Sequence, residues 1–163
     1  MESANRLLQE GNINSMPVLE PPTLRVLYSS TAIATGGLLE GRVRTTDGRL
    51  DMVLAKPKEL GGSGEGPGND PEQLLAAAYS GGFLAALVAA RTHDAPEIPP
   101  DAAVRATVAF GLRQDGGFGL EVTLEVRLPG FAPADAERLM EQARHICSVC
   151  DATRKEVLRL KLV

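Results

Sequence analysis

The chain has 163 residues, 44% hydrophobic and 23% charged, with a net charge of −4 and a pI near 5.2. This size suits one domain or a tightly woven pair, able to bury ~70% of its unfolded surface without staples. Acidity, the lack of a basic run and only 4% aromatics with no tryptophan argue against a nucleic-acid partner.

Residues 1–22 read as an arm outside the domain proper, and residues 23–163 as one domain. The arm holds Met16-Pro17 and Glu20-Pro21-Pro22, which resist helix and strand. Its first residues, MESANRLLQEGN, are polar and acidic and lack the apolar core of a secretory signal, so the expected location is cytoplasmic.

Residues 23–35, TLRVLYSSTAIAT, have β-branched residues throughout and predict a first strand that Gly36-Gly37 breaks. Residues 42–46 and 50–55 predict two more, joined at Asp47-Gly48, a strong hairpin signal. Residues 56–69, KPKELGGSGEGPGN, contain five glycines and two prolines and predict a flexible loop. No Gly-Lys-Ser/Thr follows, so this is not a phosphate-binding loop, and Lys56 and Lys58 read as solvated.

Asp70-Pro71-Glu72-Gln73 is a helix start: Asp70 caps, Pro71 takes the first position and Gln73 closes a capping box. The helix runs to about Arg91, with no charge between Leu74 and Ala90. Apolar or small residues occupy every face, which predicts burial on every side, between two sheets. A membrane span needs ~20 mainly apolar residues, and this run, with Tyr79, Ser80, Gly81 and Gly82, reads as a core helix instead. The two adjacent glycines cost such a helix ~2 kcal/mol together.

Residues 95–100 carry three prolines and read as a linker. Residues 104–114 predict a strand, Asp115-Gly116-Gly117 a turn, and residues 118–128 a strand with the cleanest apolar/polar alternation in the chain. Residues 134–146 show helical spacing, and residues 156–163 alternate again. The order β-β-β-α-β-β-α-β has too few crossovers for a parallel sheet, so the expected class is α+β with mostly antiparallel sheet around a long central helix.

Cys147 and Cys150 enclose almost no loop and make a poor structural staple. They read either as a redox pair, since C-x-x-C spacing lowers a thiol pKa, or as two small buried residues near a helix end. No strand leads into a helix at this pair, as a thioredoxin-like motif would require. His145 beside them and His93 elsewhere give no four-ligand metal spacing, and no metal or cofactor is expected. Ser80 lies outside any G-x-S-x-G string and should bond back to its own helix. Tyr79 should pack with its hydroxyl on a polar partner. Arg154 reads as solvated or structural.

Five strings, RVLYSSTAIATGG, LDMVLAKPKELGG, DPEQLLAAAYSGGF, GGFGLEVTLEVRLPG and HICSVCDATRKEV, resemble in this order the OsmC/organic hydroperoxide resistance family, closest to its organic hydroperoxide resistance branch. The likeness runs from about Arg25 to the C-terminus and leaves out the arm. It implies an intertwined homodimer with both central helices buried between sheets. It also implies a peroxiredoxin-like thiol peroxidase of the oxidative-stress response. In that chemistry a cysteine on the central helix attacks an organic hydroperoxide, a second cysteine resolves the sulfenic acid, and a dithiol restores the pair. An arginine helps form the thiolate and a glutamate holds that arginine.

Carried over residue by residue, the family's Tyr-Ser-x-Cys-Phe stands here as Tyr79-Ser80-Gly81-Gly82-Phe83, with Gly82 at the peroxidatic position. Its Thr-Gly-Gly-Arg stands as Thr35-Gly36-Gly37-Leu38, so Leu38 or Leu39 replaces the arginine. Glu72 matches the glutamate and Cys147 the resolving cysteine, while Cys150 stands where serine is usual. Arg42 or Arg44 could take the arginine's place if the loop folds differently, and Glu72 could equally serve only the helix dipole, worth ~0.3–1 kcal/mol.

Glycine cannot be a nucleophile, and leucine cannot acidify a thiol. Their joint presence predicts a pseudoenzyme: a non-enzymatic member whose space at Gly82, lined by Leu38 or Leu39, either binds a small apolar or hydroperoxide ligand at the dimer interface or is filled by repacking. The alternative is a thiol-dependent peroxide reductase or redox sensor using Cys147 and Cys150.

Overall fold

The computed structural model describes residues 24–37, 41–65 and 67–152. The arm's residues 1–22, Leu38 and Leu39, Arg154 and the predicted last strand at 156–163 lie outside the described residues. The chain divides into two units between Thr31 and Ala32. In the first unit, residues 24–31 form no strand ladder.

The second unit begins with an antiparallel meander, β1 (Ala32–Thr35), β2 (Arg42–Thr45) and β3 (Asp51–Val53), in the order β1-β2-β3. The first strand is therefore much shorter than the 23–35 expected. The propensity is there, but only four residues find a partner on β2, with Ala32 opposite Thr45 and Thr35 opposite Arg42. The Asp47-Gly48 turn forms as expected. Asp47 accepts the Thr45 hydroxyl at 2.6 Å and the Arg49 amide at 3.1 Å, and Gly48 takes φ +71°, which a side chain would resist. The glycine-rich loop is less formless than its composition predicts. Lys58–Leu60 make one turn of 3-10 helix, and Asn69 bridges Leu54 beside the sheet.

Helix α1 (Pro71–Ala90) starts as the sequence dictates. The Asp70 carboxylate accepts the Gln73 backbone N–H at 2.7 Å, and the Gln73 side-chain Oε1 accepts the Asp70 backbone N–H at 3.1 Å. A long hairpin follows, β4 (Ala103–Leu112) and β5 (Phe118–Arg127), with Val108 opposite Val122, Ala106 opposite Leu124 and Val104 opposite Val126. The hairpin packs on α1 through β4, and α2 (Pro133–Ile146) packs on it from another side. The core joins Phe83, Ala86 and Leu87 of α1 to Leu139 and Ala143 of α2 and to Cys147. A short helix the sequence did not announce, α3 (Ser148–Ala152), closes against α1.

The expectation that α1 is buried on every side is corrected within a single chain. Tyr79, Phe83, Ala86 and Leu87 are buried, but Ala77, Ala78, Gly81, Ala85, Val88 and Ala89 form one continuous exposed face. The hairpin's apolar face also runs past the core, leaving Phe118 67% and Leu120 52% exposed. The meander is built from strands of three or four residues and packs chiefly within itself. Small sheets of this kind need a hydrophobic face or a helix against them to persist.

Candidate functional site

The two adjacent glycines of α1 have unlike surroundings. A Cβ placed on Gly81 would meet nothing within 4 Å, whereas one placed on Gly82 would lie 2.9 Å from Val149 Cγ2 and 3.6 Å from Val149 Cβ. Gly82 is thus the notch into which α3 seats. Val149 stands against the place a side chain on Gly82 would take.

Val149 lies between Cys147 and Cys150, which are joined in a disulfide with Cα atoms 5.3 Å apart. A bonded pair is the oxidised form that a redox pair would take. The pair arises where α2 ends. Cys147 caps α2 with extended dihedrals (φ −67°, ψ 105°) while its amide donates to Ala143 at 2.9 Å, so the chain bends and restarts as α3. Cys147 is 1% exposed among core side chains, and its sulfur accepts the Cys150 amide at 3.3 Å. Cys150 is half-buried.

Of the residues singled out from the sequence, the fold brings Gly82 and the cysteine pair together through Val149. Glu72 stands apart, ten residues along α1, roughly 15 Å at 1.5 Å per residue. It sits in the first turn, half-buried, with no hydrogen bond or ion pair among the described residues. Together with Leu75, Tyr79, Phe110, Phe118 and Leu120 it lines an open, largely apolar cavity of about 580 Å³. The Phe110 and Phe118 rings stack at 5.0 Å on its hairpin side.

Neither arginine considered as a substitute reaches Glu72. Arg42 Nε donates to Asp51 at 2.5 Å, and Arg44 Nε lies 3.9 Å from the same carboxylate. That hydrogen bond from Arg42, followed by the attraction of both arginines, holds the Asp51 carboxyl below its ordinary pKa, and Arg42 is raised in return. Asp51 was not a candidate from the sequence; its only signal was its place across a hairpin, opposite Arg44 and diagonal to Arg42.

On α2, Arg144 binds Glu141 through two nitrogens, one at 2.8 Å, and His145 Nε2 lies 3.0 Å from the same carboxylate. Glu141 is lowered, first by the Arg144 hydrogen bond. His145 therefore points to Glu141, not to the cysteines. Among the described residues no group of three or more His, Cys, Asp and Glu side chains is arranged to hold a metal. Ser80 donates to its own helix at the Ala77 carbonyl, 3.1 Å away, and Tyr79 is buried, both as expected.

Comparison with known proteins identifies this arrangement. Residues 62–161 match the family model described as OsmC-like protein. An organic hydroperoxide resistance protein of Xanthomonas axonopodis pv. citri is 39% identical over 133 residues, 82% of this chain and 92% of the relative. A crystal structure from Legionella pneumophila, described as an organic hydroperoxide resistance protein OsmC, predicted redox protein and regulator of sulfide bond formation, aligns with a TM-score of 0.72 at 35% identity. It covers 80% of this chain and 92% of that one. An organic hydroperoxide resistance protein of Elizabethkingia anophelis, crystallised with thiocyanate bound, gives a TM-score of 0.72 at 38% identity, over 82% and 93% of the two chains. The protein belongs to the OsmC family, and its fold and sequence set it among the organic hydroperoxide resistance proteins.

Proposed function

We propose that this is an organic hydroperoxide resistance-like protein of the oxidative-stress response that does not carry out the family's thiol-peroxidase reaction from its central helix. The observation that carries this reading is the contact between Gly82 and Val149. The helix position is not merely without a thiol; its neighbour is packed against bare backbone. Catalysis by thiolate attack requires a sulfur there, and none is present.

The test is consumption of cumene hydroperoxide with a dithiol reductant. The wild type should stay near background. A variant carrying Gly82→Cys and Leu38→Arg should gain slow turnover only when Val149→Ala is added to make room. Wild-type turnover close to that of active relatives would overturn the reading.

A second reading is favoured by the Cys147–Cys150 disulfide: a thiol-dependent peroxide reductase or redox sensor working at α3 instead of α1. Peroxide-dependent loss and dithiol-dependent return of free thiols would support it. Thiols that stay free under peroxide would end it.

The working form is a homodimer in this proposal. An uncharged helix face and a hairpin tip with exposed phenylalanine and leucine need a cover, and a second copy supplies one of matching character. By length and composition α1 could also cross a membrane. One face already packs on β4 and α2, and we read the other as dimer interface, with the protein cytoplasmic and bound to neither membrane nor nucleic acid. A small apolar or hydroperoxide ligand would sit in the cavity beside Glu72 and Tyr79, not at Gly82.

A further inference from the structure

We infer that the Cys147–Cys150 disulfide is an exchange site for a low-molecular-weight dithiol, in which Cys150 is the sulfur attacked and Cys147 the sulfur that leaves; this rests on the second reading above and assigns its chemistry. Three observations fix the direction. Cys147 is sealed in the core by Phe83, Leu87, Leu139 and Ala143, so no thiolate can approach it in line. Cys150 is half-buried, inside the five-residue α3, and is the more exposed residue of the pair. The Cys150 amide donates to Cys147 sulfur at 3.3 Å, which favours charge on the departing atom in an otherwise apolar setting.

The ring closed by the bond spans only a sequence separation of 3. Closing so short a loop constrains the unfolded chain little, so the bond is a weak staple and is free to serve exchange. A dithiol is the fitting partner because its second thiol, held on the mixed disulfide, acts at the effective concentration of an intramolecular group.

The steps balance. One thiolate of the dithiol attacks Cys150 sulfur, the Cys147–Cys150 bond breaks, and its electron pair stays on Cys147, which takes up the proton the dithiol gave. The second thiol then attacks the dithiol's own sulfur in the mixed disulfide. It releases Cys150 as thiolate, and Cys150 takes the second proton. The dithiol leaves as a cyclic disulfide, oxidised by two electrons, and the protein holds two thiols.

The test uses the purified full chain without peroxide, so that it is independent of any peroxidase result. Oxidised wild type is treated with limiting glutathione, quenched in acid and peptide-mapped. The mixed disulfide should lie on Cys150. In parallel, glutathione disulfide should modify Cys147→Ser about tenfold faster than Cys150→Ser, the difference expected of an accessible against a buried thiol. Cys147→Ala repeats the measurement should serine in the core disturb folding. Dithiothreitol should convert the pair to free thiols without mixed-disulfide build-up. An adduct on Cys147, equal rates in the two variants, or two free thiols in protein isolated in air would each overturn the inference. The first two would do so while leaving the redox pair itself standing.

Discussion

Gly82 and Val149 are fitted to each other: the valine's Cγ2 lies where it would be 2.9 Å from any Cβ on Gly82. Alanine at 82 would gain ~1 kcal/mol in helix propensity but force Val149 to move, and overpacking typically costs about 1–3 kcal/mol. Gly82→Ala should therefore leave the wild type unchanged or less stable by up to about 2 kcal/mol, and should stabilise a Val149→Ala background by about 1 kcal/mol. Urea unfolding of the four proteins in this cycle measures both. Equal effects in the two backgrounds would mean that the contact does not constrain Gly82.

The neighbouring Gly81 faces open space, next to exposed Ala77, Ala85 and Val88. If a second copy covers this face, Ala85→Arg should shift sedimentation from dimer to monomer while far-ultraviolet dichroism stays near that of the parent. Burying an unpaired charge in an interface costs several kcal/mol. An unchanged dimer would place the interface elsewhere.

The cap of α1 rests on two reciprocal hydrogen bonds between Asp70 and Gln73. Asp70→Ala should lower stability by about 1 kcal/mol, within the 0.5–2 kcal/mol range for lost caps. Asp70→Asn, which keeps the acceptor, should recover most of it. Thermal melts of the pair decide the matter.

Asp51 titrates below its ordinary value because Arg42 hydrogen-bonds its charged form. A carboxylate depressed in the folded state contributes stability above its unfolded pKa, about 3.9, and loses it as pH falls through the lower folded value. The group is exposed, so the effect on stability is small. Its signature is spectroscopic: carbon-detected NMR titration should give Asp51 a midpoint below that of unpaired aspartates, and Arg42→Gln should raise it. A midpoint unmoved by Arg42→Gln would refute the pairing.

Elements whose cause is local were legible from the sequence. The capping box at Asp70, the Asp47-Gly48 turn, the period-two alternation of β5 and the helical spacing before Cys147 all formed where the residue types require, because each is decided within a few neighbouring residues. Gly82 could be recognised as a departure by its neighbours Tyr79, Ser80 and Phe83. Its meaning depended on Val149, more than sixty residues away, and no local pattern encodes that contact. Residues 24–31 have strand composition but no ladder, since a strand exists only where a partner accepts its hydrogen bonds. The same holds for the cysteines: their spacing permits a bond, but which sulfur lies in the core follows from how α2 ends against α1. Residue chemistry thus determined the elements and placed a glycine, with no side chain, at position 82. Tertiary packing alone decided what stands against it, which face of α1 stays bare, and which sulfur a thiol can reach.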